Sequence, residues 1–135
     1  MTATAPLKPR TVAALLLIAA VGTIPYLWKP AHVDDPFYIA IARRALAAPL
    51  DPYGAPPPWG MRDWFSINSN PLLWPYLLAA AAGAAGESDL TYHVVAAGLA
   101  LALVFGLYRL ARRLSEHALS WTAVCFLSPF LLPGQ

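Results

Sequence analysis

PLLWPYLLAAAAGAAG, residues 71–86, is the stretch on which the layout of this chain turns. It is uncharged and apolar enough to cross a bilayer, but it is only about as long as the roughly 17 residues that the shortest helical crossing needs. The apolar runs around it read more simply. Residues 11–28 follow Lys8 and Arg10 and end with Tyr26 and Trp28, the aromatic pair expected where a helix meets the membrane surface. No small-x-small cleavage pattern follows Trp28, so this run is expected to stay in place as a first crossing. Residues 90–108 form a second crossing, followed at once by Arg109, Arg112 and Arg113. Residues 118–133 form a third, with Trp121 near its start and Pro129 and Pro133 near its end.

Parity then decides residues 71–86. If they cross, the three arginines after Tyr108 fall outside, while Glu87 and Asp89 face inward, against the tendency of basic residues to stay in the cytoplasm. If they lie along the surface or re-enter, Lys8, Arg10, Arg109, Arg112 and Arg113 all sit inside. The outer loop, residues 29–89, then carries Asp34, Asp35, Asp51, Asp63, Glu87 and Asp89 against Lys29, Arg43, Arg44 and Arg62, a net charge of −2. The expected fold is therefore all-α and integral to the membrane. It has three crossings, a cytoplasmic N-terminus and one large external loop, within a single membrane region spanning residues 1–135.

Composition agrees. Of 135 residues 59% are hydrophobic and 12% charged, with a mean hydropathy of +0.53, where a soluble domain carries about a quarter charged residues. A net charge of +2 with scattered basic residues speaks against nucleic acid as a partner. Cys125 is the single cysteine, so no internal disulfide forms, and its apolar surroundings suit a small buried hydrophobe. The 14 prolines gather between the apolar runs, as in residues 55–60, where they demand turns and not helix.

Inside the loop, residues 35–48 have a helical pattern, with Asp35 placed to cap and Pro36 at the first helical position. Phe37, Tyr38, Ile39, Ile41, Ala42, Ala45 and Leu46 share one broad side; Ala40, Arg43, Arg44 and Ala47 take the other. Such a helix buries its apolar side at the bilayer boundary or against the first crossing and turns both arginines to water or lipid phosphate. Just before it stand Asp34 and Asp35. A carboxylate held at a membrane surface beside a second acid can take a proton from an incoming hydroxyl or amine. The plainer reading leaves Asp35 as a cap and Asp34 in solvent. Asp63 beside Trp64 borders an acceptor groove on one reading and is an ordinary loop acid on the other. His93, with no ligand partner at metal-binding spacing, is expected to hydrogen-bond and not to hold a metal. His32 is close enough to the acids to tune them, and His117 is expected to be solvated. The sequence has no nucleophile elbow, phosphate-binding glycine loop, paired zinc motif or heptad.

The order of Val33-Asp34-Asp35-Pro36-Phe37, Asp51-Pro52-Tyr53-Gly54, Trp59-Gly60, Asn70-Pro71-Leu72 and Tyr108-Arg109-Leu110-Ala111-Arg112-Arg113-Leu114 resembles the start of a membrane glycosyltransferase. The group it resembles joins the dolichyl-phosphate-mannose protein mannosyltransferases and the lipid A aminoarabinose transferases, especially bacterial members. The resemblance covers roughly residues 11–133. It implies transfer of a sugar from a polyprenyl-phosphate donor at the outer face of a bacterial cytoplasmic membrane. By it Asp34 is the catalytic base, and Asp35 supports it or stands near a divalent metal, as in some members; no other cofactor is implied. Arg43, Arg44, Asp63 and Asn70 become candidate substrate-binding residues. The family's membrane-parallel helices correspond to residues 35–48 and 71–86.

Leu72 departs from the resemblance, standing where the family has a second proline. Such enzymes also run to several hundred residues, so this chain reads as an N-terminal portion that is inactive by itself. The alternative from another class is a small non-catalytic membrane subunit or an inactive remnant, its small residues at 79–85 and 96–102 offering surfaces for partner helices.

Overall fold

The computed structural model describes residues 6–30, 35–54 and 72–131. Among them 80% are helical and none lies in a strand, as the all-α reading expects. Five helices follow in order: α1 (Pro9–Thr23), α2 (Asp35–Ala47), α3 (Leu73–Ala85), α4 (Asp89–Leu114) and α5 (Ala118–Leu131). They fall into two compact units, one within Met1–Tyr26 and Ala96–Gln135 and the other within Leu27–Val95, so the boundary lies inside α4.

In the first unit, α1 starts ahead of the apolar run because Pro9 fits the first helical turn, where its missing N–H is no loss. The Lys8 carbonyl accepts from the N–H groups of Thr11 and Val12 at 2.9 and 3.1 Å. At the other end Pro25 supplies no N–H to continue the ladder, and Ile24–Tyr26 tightens into a 3-10 turn. Leu15, Ala19 and Gly22 line one face of α1 and are buried. Leu15 and Ala19 join Val104 of α4 and Phe126 of α5 in one apolar cluster. The absent side chain of Gly22 matters for that contact, because a Cβ there would lie 2.6 Å from Cε1 of Phe126. Thr122, the one polar side chain fully buried among the described residues, returns its hydroxyl to the Ala118 carbonyl at 2.8 Å.

The second unit packs α2 on α3. Ala42 and Ala45 meet Leu78, Ala79 and Ala82, and the small residues on both helices allow close approach. The apolar side of α2 is thus covered by α3, where the sequence pattern alone offered the bilayer boundary or the first crossing. Periodicity defines a face but not what covers it. Leu46, grouped with that face, is 48% exposed at its margin. Gly86 ends α3 with φ at 85°, a backbone region that favours glycine, and its N–H reaches the Ala82 carbonyl at 2.9 Å. Ser88 then caps α4: its hydroxyl oxygen accepts from the Thr91 N–H at 3.1 Å.

Two helical stretches are long and apolar enough to cross a membrane, Pro9–Tyr26 and Asp89–Leu114. Little of either is covered by the protein, 17% of the first apolar window and 6% of the second, unlike the core helix of a soluble fold. Leu17, Val21, Val94, Leu99 and Leu103 are all exposed. At 1.5 Å per residue α3 and α5 reach only about 20 Å, short of a hydrocarbon core of about 30 Å.

Candidate functional site

The sequence places its candidate site on and around α2, and the described residues hold part of it. Asp34, Asp63 and Asn70 lie outside the described residues, as does His32. Asp35 occupies the first turn of α2, with Pro36 beside it in that turn. A carboxylate in a first helical turn faces the positive end of the helix dipole, while Arg44 in the last turn complements the negative end.

Both candidate phosphate-binding arginines are held by carboxylates. Arg43 donates from Nε to Oε1 of Glu87 at 2.7 Å, and its Nη2 bonds the same oxygen. The pair joins α2 to the α3–α4 link. It lies at the surface, with side chains 63% and 40% exposed. Hydrogen bonding from Arg43, aided by its positive charge, holds the Glu87 carboxyl below its ordinary range against a small opposing effect of burial. Arg44 donates from Nε to the Asp51 carbonyl at 3.2 Å and from Nη2 to its Oδ2 at 3.3 Å. This clamps the turn after α2, in which the Asp51 N–H also bonds the Ala48 carbonyl at 3.0 Å. Each guanidinium carries five N–H donors and keeps some beyond these bonds. An anion at either arginine therefore shares it with a carboxylate or displaces one.

Around this centre the unit is fastened by tyrosines. The Tyr76 hydroxyl of α3 donates to the Pro49 carbonyl, tying α3 to the turn after α2. Burial, with a smaller contribution from Tyr76, pushes the Tyr53 hydroxyl above its ordinary value. Tyr92 of α4 is buried in the α2–α3 cluster, near Arg43 and Glu87, and its hydroxyl has no hydrogen-bond partner among the described residues. His93 bonds as its sequence position suggests: Nδ1 lies 3.1 Å from the Leu27 carbonyl, which makes Nδ1–H the donor. Among the described residues no cluster of His, Cys, Asp or Glu is arranged to hold a metal ion.

Sequence reasoning did not single out Glu87, Asp51, Tyr92 or Ser88 for these roles. Ser88 ahead of an apolar run is a legible cap signal. The partnership of Arg43 with Glu87, separated by 44 positions, has no local signature.

The chain matches no family model, and no curated protein or solved structure is similar to it.

Proposed function

We propose that the chain is the N-terminal membrane segment of a glycosyltransferase that moves a sugar from a polyprenyl-phosphate donor to an acceptor at the outer face of a bacterial cytoplasmic membrane. The observation that carries the reading is Asp35 on the first turn of α2, the second acid of the Asp34-Asp35 pair in the sequence, on a stretch between two helices long enough to cross. Asp34 is the general base, drawing a proton from the acceptor nucleophile as the anomeric carbon is inverted and polyprenyl phosphate leaves. Asp35, on the first turn of α2, orients that base. Arg43 and Arg44 meet the lipid phosphate with the donors left over from Glu87 and Asp51, and Asp63 and Asn70 border the acceptor.

In this layout α1, α4 and α5 cross, while α2 and α3 lie parallel to the surface as a packed pair. The burial of Leu78, Ala79 and Ala82 of α3 against α2 and the exposed arginine on α2 support a surface position for the pair. The packing of α5 on α1 supports counting α5 with the crossings.

Replacing Asp34 with Asn in the enzyme that carries this segment abolishes sugar transfer in membrane vesicles supplied with radiolabelled polyprenyl-phosphate sugar, with insertion retained. Undiminished transfer excludes Asp34 as the base. One observation favours a non-catalytic subunit instead: both arginines are already paired within the chain, as a purely structural surface requires. Under that reading Asp34→Asn leaves every property of the membrane unchanged.

A further inference from the structure

Among the described residues the Tyr92 hydroxyl is the buried side-chain polar atom without a hydrogen-bond partner, on a residue more than nine-tenths buried. Burying an O–H unpaired is costly, because the bond it made to water in the unfolded chain is not replaced. The polar groups around it are those of Arg43 and Glu87. Ala42, the residue before Arg43 on α2, packs in the same apolar cluster as Tyr92. The Tyr92 N–H bonds the Ser88 carbonyl at 3.2 Å, so Tyr92 stands one helical turn beyond the residue that follows Glu87. All of these belong to the Leu27–Val95 unit. Asp89, in the first turn of α4, is the other acid nearby, and α3 brings no charged residue to the cluster.

Arg43 spends one edge of its guanidinium, Nε and Nη2, on a single oxygen of Glu87, and leaves Nη1 clear of that carboxylate. A phosphate that approaches the Nη1 edge meets the Glu87 charge at close range, where like charges repel. Glu87 is the anion that yields. Its pair with Arg43 is well exposed and correspondingly weak, and it offers the guanidinium one oxygen where a phosphate offers two. A released carboxylate accepts hydrogen bonds and donates none, while the Tyr92 O–H is a donor in need of an acceptor. Each supplies what the other lacks.

We infer that Tyr92 is the alternative partner of Glu87: when a phosphate takes Arg43, the Glu87 carboxylate turns from the guanidinium to the Tyr92 O–H. The inference rests on the reading of Arg43 as a phosphate-binding residue. Tyr92 is then a positioning residue that holds the competing carboxylate away from the ligand and does not touch the ligand itself. The ligand is a phosphate, free or at the head of a polyprenyl chain, since both make the same demand on Arg43.

The test uses the full chain in detergent micelles, with binding of farnesyl phosphate, a short polyprenyl phosphate, and of inorganic phosphate read by titration calorimetry. Arg43→Gln removes most of the binding. Tyr92→Phe weakens it about fivefold while Glu87 is present, the worth of one hydrogen bond to a carboxylate. In a Glu87→Ala background, where no carboxylate has to move, Tyr92→Phe has no effect. A second reading needs no change at Tyr92 during the measurement. In a chain labelled with carbon-13 at the tyrosine Cζ, the Tyr92 resonance moves on addition of farnesyl phosphate and stays in place with Glu87→Ala. Farnesyl phosphate acting at lower concentration than inorganic phosphate supports the exchange with a lipid as ligand; equal potency supports it with free phosphate. Tyr92→Phe without effect in the presence of Glu87 overturns the inference and leaves the phosphate role of Arg43 standing. An equal loss with and without Glu87 also overturns it, because the hydroxyl then serves the ligand or the fold directly. Binding that ignores Arg43→Gln, or no binding of either probe, removes the phosphate role of Arg43 and the inference with it.

Discussion

Glu87 and Tyr92 are the residues at which the chemistry of the α2–α3 unit can be read most directly. Glu87 is held below its ordinary value of 4.5 by Arg43, so its folded form binds a proton less readily than its unfolded form. The stability that the pair adds is therefore present above that ordinary value and is lost as pH falls through the lower folded value. Because both side chains are well exposed, the contribution is about 0.2–1 kcal/mol and is screened by salt. A double-mutant cycle of Arg43→Gln and Glu87→Gln, read by thermal unfolding in detergent, should give coupling of that size at pH 7 and progressively less as the pH is lowered below Glu87's ordinary value. Coupling that does not fall with pH means the carboxylate charge is not what joins the pair. Tyr92 makes the opposite prediction. Its buried hydroxyl has no partner among the described residues, so Tyr92→Phe should leave stability unchanged or raise it by up to about 1 kcal/mol in the same assay. A clear loss of stability identifies a partner for the hydroxyl. None of these pairings could be read from the sequence, since they depend on which helix lies against which. His93 was legible because its isolation from other metal-binding residues left hydrogen bonding as its natural role.

At the scale of elements, much was legible wherever local chemistry decides. The 35–48 pattern is realised as Asp35–Ala47, and the 90–108 run as the core of Asp89–Leu114. The extra length of α4 comes from Arg109, Arg112 and Arg113: a hydropathy run stops at the first charge, but a helix continues through arginines, which are good helix formers. Partner choice was not legible, and the meeting of α2 with α3 rests on alanines whose small size carries no directional signal. The α1–α5 contact offers a direct test of packing. Gly22→Ala drives a methyl group into the Phe126 ring and should destabilise the unit by about 1–3 kcal/mol, visible as a lower unfolding temperature in detergent. Adding Phe126→Leu should recover part of that loss. An equal loss with and without the second change means that the ring is not the obstacle.

For the molecule as a whole, the central claim is that residues 29–89 form one external loop carrying Asp34 and Asp35. Charge and parity are the grounds for that layout, and the apolar face that α3 spends on α2 supports it. The candidate site was legible only in part: the acid pair, Arg43 and Arg44 stood out by type and position, whereas the carboxylates that clamp the arginines emerged from tertiary packing. The most direct measurement is cysteine labelling from the outer face with an impermeant maleimide. It uses a Cys125→Ser background and single substitutions Ser66→Cys, Ser88→Cys and Ser115→Cys. The account predicts labelling at positions 66 and 88 and none at 115. Labelling at 66 and 115 with none at 88 makes residues 71–86 a true crossing. That result contradicts both the single external loop and the glycosyltransferase layout proposed on it.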